Sequence, residues 1–240
     1  LTTPNVVEAR NFYSALFGWE YDIAGEEFGF YSNALIGGKR VAGMGQPPPD
    51  TPAYPAWTVM LASDDLHGDV AKIKSLGGNV VVEPMEIPGQ GHMVIANDST
   101  GAVFGLWQSG SHFGAHITDE PGSMTWSEVN TRDAAKTLDF YTKIFGLSSQ
   151  LVPTGIVYHM LSHGDQNAHG ILQMDENWDA SIPSHWMVYF AVSDLEQSIA
   201  KATGAGGKIL VPPFDSGYGR ISVLSDPHGT TFSIVQLKQR

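Results

Sequence analysis

The segment HWMVYFAV (185–192) alternates: Trp186, Val188, Phe190 and Val192 form one wholly apolar face, while His185, Met187, Tyr189 and Ala191 form a mixed one. Such a period of two assigns it to a strand whose apolar side packs under a helix and whose mixed side looks elsewhere. AWTVMLAS (56–63) repeats the pattern, with Trp57, Val59 and Leu61 toward the core and Thr58 and Met60 on the mixed side. In other stretches the period lengthens. Leu138, Tyr141 and Phe145 recur at helical intervals, Asp133 and Asp194 stand where N-caps belong, and Gly146 or the pair Gly206-Gly207 supplies a stop. Asn5 followed by Glu8 gives the first helix a box-like start. Residues 124–174 and 185–237 thus each read as strand, helix and three strands.

These patterns occur twice. DFYTKIFGL (139–147) echoes NFYSALFGW (11–19), and the same shift of 128 lays SDPHGTTFSIVQ (225–236) on NDSTGAVFGLWQ (97–108). Between them AKATGAGGKILVPP (200–213) falls on AKIKSLGGNVVVEP (71–84) with a shift of 129, the drift a loop insertion produces. The expected organisation is α+β: four βαβββ modules in two tandem domains. The first domain is 1–113, with modules at about 1–46 and 56–110, and the second is 120–240, with modules at about 124–174 and 185–237. The stretch GSHFGAHITDEPGS (110–123) reads as an ordered connector, and LIGGKRVAGMGQ (35–46) as turns and close strand approach rather than a phosphate loop. Val129 aligns with Leu1, so the first strand of the first module is expected to be completed by residues upstream. An intact mass matching a chain that starts at Leu1 would contradict that.

Composition excludes several functions. With 240 residues and 42% hydrophobic content the chain has material for two modest cores. Its 13 basic against 25 acidic residues give a net charge of −12, and no basic run alternates with aromatics, so nucleic acid is not an expected partner. Cysteine is absent, which removes disulfides, thiolate metal sites and cysteine nucleophiles. No apolar run reaches the length of a membrane span, and LTTPNVVEAR (1–10) lacks signal-peptide anatomy; the expectation is a cytoplasmic protein without a membrane partner.

The motifs FYxxxFG, AGGK…PP and DPHGTTFSIV, with GSMTWSEVNTRD, HWMVYFAVSDL and GYGRISVLSDPHG, resemble the vicinal oxygen chelate superfamily, which includes glyoxalase I, bleomycin resistance proteins and extradiol dioxygenases. They resemble most its tandem two-domain glyoxalase-like subfamily. The resemblance covers essentially the whole chain. It implies that paired modules form incomplete barrels whose concave faces enclose a ligand, often beside a divalent metal held by His and Glu. The superfamily's ligand positions correspond here to Trp126, Gly170, Met187 and Ser233 in the second domain, and to positions near Gly43, Thr58 and Gly105 in the first. A metal site needs several N or O donors converging on one point, and this set does not supply them. No cofactor is therefore favoured; the alternative is divalent Fe, Mn, Ni or Zn on His159, His169, His185 and Glu128.

Other candidate residues face the expected cavity. Trp126, Glu128 and Asn130 share one strand face. Glu128 is the candidate general base or hydrogen-bond acceptor, its alternative role being an acceptor for backbone or Arg220. Trp126 and Trp107 could wall a planar ligand or simply fill the core. Arg220 could hold an anion or pair with a neighbouring acid. With Thr58, Met60, His169, His185, Met187, Tyr189 and Ser233 these complete the candidate ligand-binding set. His112 and His116, in the connector, are separated by Gly114, which argues against a helical pair. The favoured function is binding of a small aromatic or carbonyl-containing metabolite or drug in the concave cavity, without metal. The alternatives are a metal-dependent glyoxalase-type isomerase or lyase or an extradiol-type dioxygenase, and an interaction-only scaffold. Monomer and homodimer are both open.

Overall fold

The computed structural model of the chain describes residues 1–47, 54–153 and 155–238. Its elements follow the predicted modules. The first holds α1 (Val6–Phe17), β1 (Glu20–Ile23), β2 (Ser32–Ile36) and β3 (Lys39–Met44). The second holds β4 (Met60–Ala62), α2 (Leu66–Ser75), β5 (Asn79–Ile87), β6 (Gly91–Asn97) and β7 (Val103–Ser109). The third holds β8 (Met124–Thr131), α3 (Ala134–Phe145), β9 (Ser148–Leu151), β10 (Tyr158–His163) and β11 (Gln166–Gln173). The fourth holds β12 (His185–Ala191), α4 (Leu195–Gly204), β13 (Lys208–Asp215), β14 (Gly219–Ser225) and β15 (Thr231–Leu237). In the first module the opening strand is reduced to bridges from Thr2 to Ala56 and Gly45. No helix among the described residues is long and apolar enough to cross a membrane.

The caps form as expected, with one difference. Asp133 and Asp194 accept from Lys136 N and Gln197 N, and Gly146 ends α3 in the left-handed conformation (φ 64°) that costs a glycine least. Asn5 accepts from Val7 N and Glu8 N at the start of α1. The Glu8 carboxylate, however, reaches out to His228 Nε2 (3.1 Å). The connector forms no helix or strand between 110 and 122, and Gly114 (φ 112°) prevents a helical pairing of His112 with His116.

Two compact units result, and each combines modules from both halves of the sequence. Unit 1 is Leu1–Trp57, Gly114–Thr125 and Val188–Arg240; unit 2 is Thr58–Phe113 and Trp126–Met187. This partition differs from the one traced by the sequence repeat, and the side chains show why. In unit 1, Phe12 and Tyr13 of α1 pack on Phe232 of β15, with ring centroids 6.2 and 5.6 Å away, and the Tyr13 hydroxyl donates to Asp226 (3.3 Å). Unit 2 repeats this arrangement: Phe140 and Tyr141 of α3 pack on Phe104 of β7, and the Tyr141 hydroxyl donates to Asp98 (3.2 Å). The repeated Phe-Tyr pairs are therefore core residues, all 2% exposed or less. Each bridges a helix of one module to the last hairpin of another.

Within unit 1, β1-β2-β3 form an antiparallel sheet, β13-β14-β15 an antiparallel ladder, and β12 joins β15 in parallel, Tyr189 opposite Ser233. Within unit 2 the orders are β4-β7-β6-β5 and β8-β11-β10-β9, with β4-β7 and β8-β11 parallel. Among the described residues no sheet closes into a barrel. The apolar face foreseen for 185–192 is buried, Trp186 in the core of unit 2 and Val188, Phe190 and Val192 in that of unit 1. Val59 and Leu61 likewise enter the core of unit 2, while Trp57 packs on that of unit 1.

Candidate functional site

In unit 2, the alternation of β8 decides which side chains are available. Val129 enters the core beneath α3, so Ser127 and Thr131 lie on that side while Trp126, Glu128 and Asn130 lie on the opposite face. Gly170 of β11 stands opposite Glu128 in the parallel register. A β-carbon on Gly170 would overlap the hydroxyl of Tyr158, because the Tyr158 ring, reaching over from β10, lies across that glycine. From there the Tyr158 hydroxyl donates to Glu128 Oε2 (2.9 Å) and accepts from Trp126 Nε1 (2.9 Å). Glu128 is thus buried with a hydroxyl on its carboxylate, and Arg220 is not that partner.

Asn130, 2% exposed, sits one step further along the same face, its Nδ2 3.2 Å from His185 Nε2. His185 Nδ1 lies 2.8 Å from the carbonyl of Pro183, which can only accept, so Nδ1 carries the proton. Burial lowers the His185 pKa and so favours the neutral ring, an effect that the bond to the Pro183 carbonyl partly offsets. Nε2 is then an acceptor and Asn130 Nδ2 its donor. The amide oxygen of Asn130, also buried, has no partner among the described residues. Met187, on the same strand face as His185, is buried.

The other histidines point away. His169 Nδ1 pairs with Ser127 Oγ (2.8 Å), and the ring meets Trp186 edge-on at 5.3 Å, so His169 is on the core side. Burial there pushes its pKa down to about 4. His159 pairs across the ladder with buried Ile171 and, by alternation with Tyr158, shares that side. The two therefore share a strand face, but it is opposite the one carrying Glu128 and His185. The four residues named as an alternative metal set do not converge. No group of three or more His, Asp or Glu able to hold a metal occurs among the described residues.

The second module of unit 2 solves the same spatial problem with other side chains. A β-carbon on Gly105 would overlap the sulfur of Met60, which lies across β7 and is 40% exposed. Trp107 shares the face of Gly105 and donates Nε1 to the carbonyl of His112 (2.7 Å). Thr58, half-buried, precedes β4. In unit 1, Tyr31 covers Gly43 as Tyr158 covers Gly170. Tyr189 is half-buried beside Ser233, which is fully buried with an Oγ lacking a partner among the described residues. Arg220 is elsewhere: its ladder partner Gln236 caps α4, and its guanidinium pairs with Glu196 (2.5 Å) of that helix and Asp215 (3.5 Å). It faces the helix side and serves an exposed ion-pair network.

The described residues at these positions therefore do not make a donor set that fits a divalent metal. At Gly43, Gly105 and Gly170 there is no donor, and the room a ligating side chain needs holds Tyr31, Met60 and Tyr158. Tyr31 and Tyr158 were not among the sequence candidates. A signal existed: in each half a tyrosine stands twelve residues before the glycine it covers, Tyr31 before Gly43 and Tyr158 before Gly170.

Known proteins resemble this chain along its length. The family model described as Glyoxalase/Bleomycin resistance protein/Dioxygenase superfamily matches residues 1–106 and 115–234. The "Putative glyoxylase CFP32" of Mycobacterium tuberculosis (strain CDC 1551 / Oshkosh) is 37% identical over 244 residues, covering 98% of this chain and 92% of the relative. The "Anthracycline biosynthesis protein DnrV" of Streptomyces peucetius is 32% identical over 259 residues, covering 100% and 92%. Among solved structures, the Mn(II)-bound glyoxalase from Novosphingobium aromaticivorans aligns with a TM-score of 0.65 at 16% identity, over 99% of this chain and 82% of that one. The 2,3-dioxygenase LapB from Pseudomonas sp. KL28 aligns at 0.61 and 14%, over 99% and 90%. At these identities the structural likeness speaks for the fold alone.

Proposed function

This chain belongs to the glyoxalase/bleomycin resistance protein/dioxygenase superfamily, and from that premise we propose that it binds a small aromatic or carbonyl-containing metabolite or drug over the β8 face of unit 2 that carries Trp126 and Glu128, without the divalent metal that its fold neighbour carries. The observation behind this reading is the Tyr158 hydroxyl, held between Trp126 and Glu128 above the bare backbone of Gly170. Where a ligating side chain would stand, the chain has an aromatic ring and a hydrogen-bond chain. Rings and thioethers offer a planar molecule dispersion contacts, while the few polar atoms among them orient it.

The name of the relative DnrV supports a ligand of the anthracycline kind, since anthracyclines are fused-ring aromatic ketones. We carry over only that chemical class. Glu128 remains the residue best placed to accept a proton or a hydrogen bond from such a molecule. Thermal-shift screening against fused-ring quinones and related antibiotics, with elemental analysis of the same dialysed protein, tests the reading. A cavity binder gains stability with ligand concentration. Stoichiometric Fe, Mn, Ni or Zn surviving dialysis contradicts the metal-free part, and the absence of any stabilisation by the screened compounds contradicts the binding part.

A further inference from the structure

Between β11 and β12 the chain leaves the sheet, and both ends of that excursion are anchored. Met174 and Ser184 are buried, whereas every residue of 175–183 between them is exposed or half-buried. This segment makes two consecutive turns, and each is held from within. The Asp175 carboxylate accepts from Asn177 N (3.0 Å) and Asn177 Nδ2 (3.1 Å), and the Asp175 carbonyl accepts from Trp178 N (3.3 Å). The Asp179 carboxylate accepts from Ser181 N and Ser181 Oγ, both at 2.8 Å, and its carbonyl accepts from Ile182 N (3.0 Å). An aspartate that closes its own turn two residues on fixes the local geometry without help from the rest of the fold.

Ties to the remainder of unit 2 are fewer. Arg132, the first residue after β8, donates Nη1 to the Asp175 carbonyl (3.0 Å) and Nη2 to the Asp179 carbonyl (2.6 Å), so one guanidinium spans the start of both turns. His185 Nδ1 donates to the Pro183 carbonyl (2.8 Å), and half-buried Trp178 lies against the His185 ring with centroids 6.3 Å apart. Among the described residues, six hydrogen bonds thus lie within the segment and three leave it, two of those three to a single exposed side chain.

We infer that residues 175–183 form a strap that opens and closes as one piece over His185, with Arg132 as its catch. Opening takes Trp178 off the imidazole and uncovers the end of the β8 face where His185 meets Asn130, beside the ligand face proposed above. Because the motion belongs to the free protein, it stands whether or not that ligand reading holds. Breaking the outer bonds frees the segment while the inner ones keep its shape, so β11 and β12 need not rearrange. Arg132 counts for more than its exposure suggests, since a planar fork serves two carbonyls at once.

Native-state proteolysis with chymotrypsin tests this, because the protease must take the Trp178 ring into its own pocket and cannot do so while that ring lies on His185. In the unaltered chain, cleavage after Trp178, identified by the masses of fragments 1–178 and 179–240, should proceed at a rate nearly independent of urea below the unfolding transition. Arg132→Gln should raise that rate about tenfold or more, the effect of losing bonds from a charged donor, while its urea midpoint stays close to that of the unaltered chain. Arg132→Lys should resemble Arg132→Gln, because an ammonium group cannot span both carbonyls. Two results would overturn the inference. One is cleavage of the unaltered chain whose urea dependence matches global unfolding, a measurement that needs no variant to fold. The other is a rate for Arg132→Gln equal to that of the unaltered chain.

Discussion

The Tyr141 hydroxyl donates to Asp98 across 3.2 Å and receives Trp186 Nε1 at 2.9 Å, so that a single oxygen ties α3 to the hairpin ending the second module and to the strand opening the fourth. Tyr13 does the same in unit 1 with Asp226 (3.3 Å) and Trp57 (3.0 Å). Asp98 in turn uses Oδ1 to hold Thr100 N and Ala102 N in its turn. Tyr141→Phe removes one oxygen and strands two buried polar atoms. The expected loss is about 1–3 kcal/mol of stability, read from urea denaturation, with a comparable loss for Tyr13→Phe. A loss below about 0.5 kcal/mol in both variants would show that these oxygens are incidental to how the modules join.

The tyrosine above Gly170 gives a second prediction. Gly170→Ala places a methyl group where the Tyr158 hydroxyl lies and close to Glu128 Cβ (3.0 Å), so the ring must swing aside and its bonds to Glu128 and Trp126 break. Losing one or two partly buried hydrogen bonds costs about 1–2 kcal/mol. The emission of Trp126 should also change, since its N–H loses its acceptor. Unchanged emission and stability would place Tyr158 elsewhere in solution.

The burial of His169 sets a pH dependence. Its folded pKa, about 4, lies below the ordinary 6.5, so between those values the unfolded chain binds a proton that the folded chain refuses. Stability is therefore unpenalised above pH 6.5, declines as pH falls toward 4, and loses at most about 3 kcal/mol from this residue. His185, also shifted down by burial, contributes with the same sign. Replacing His169 with Gln should flatten the decline without abolishing it. A His169→Gln protein with the same acid slope as the unaltered chain would contradict the assignment.

Much of this architecture was legible because the sequence writes it twice. The Phe12-Tyr13 and Phe140-Tyr141 motifs, the caps at Asp133 and Asp194 and the alternation around Trp57 and Trp186 are local signals, set by periods of 3.6 and 2 and by backbone chemistry at helix ends. Which modules share a compact unit was not legible, because that depends on Phe12 finding Phe232 and Phe140 finding Phe104, pairings that no local period encodes. The candidate site divided in the same way. Alternation correctly put Glu128 with Asn130, but whether His169 faced the ligand side depended on its cross-strand register. For Arg220 in GYGR the sequence allowed an anion holder or the partner of a neighbouring acid, and the structure has the second, with Glu196 two residues past the N-cap of the adjacent helix.

On this reading a small aromatic ligand binds the Trp126 and Glu128 face of unit 2 without a metal ion. The most direct measurement is a tryptophan-fluorescence titration with 2-hydroxyanthraquinone performed twice, in excess EDTA and in added MnCl₂. Saturable quenching with the same midpoint in both is the predicted result. No quenching in EDTA, with saturable quenching restored by Mn²⁺, would contradict it.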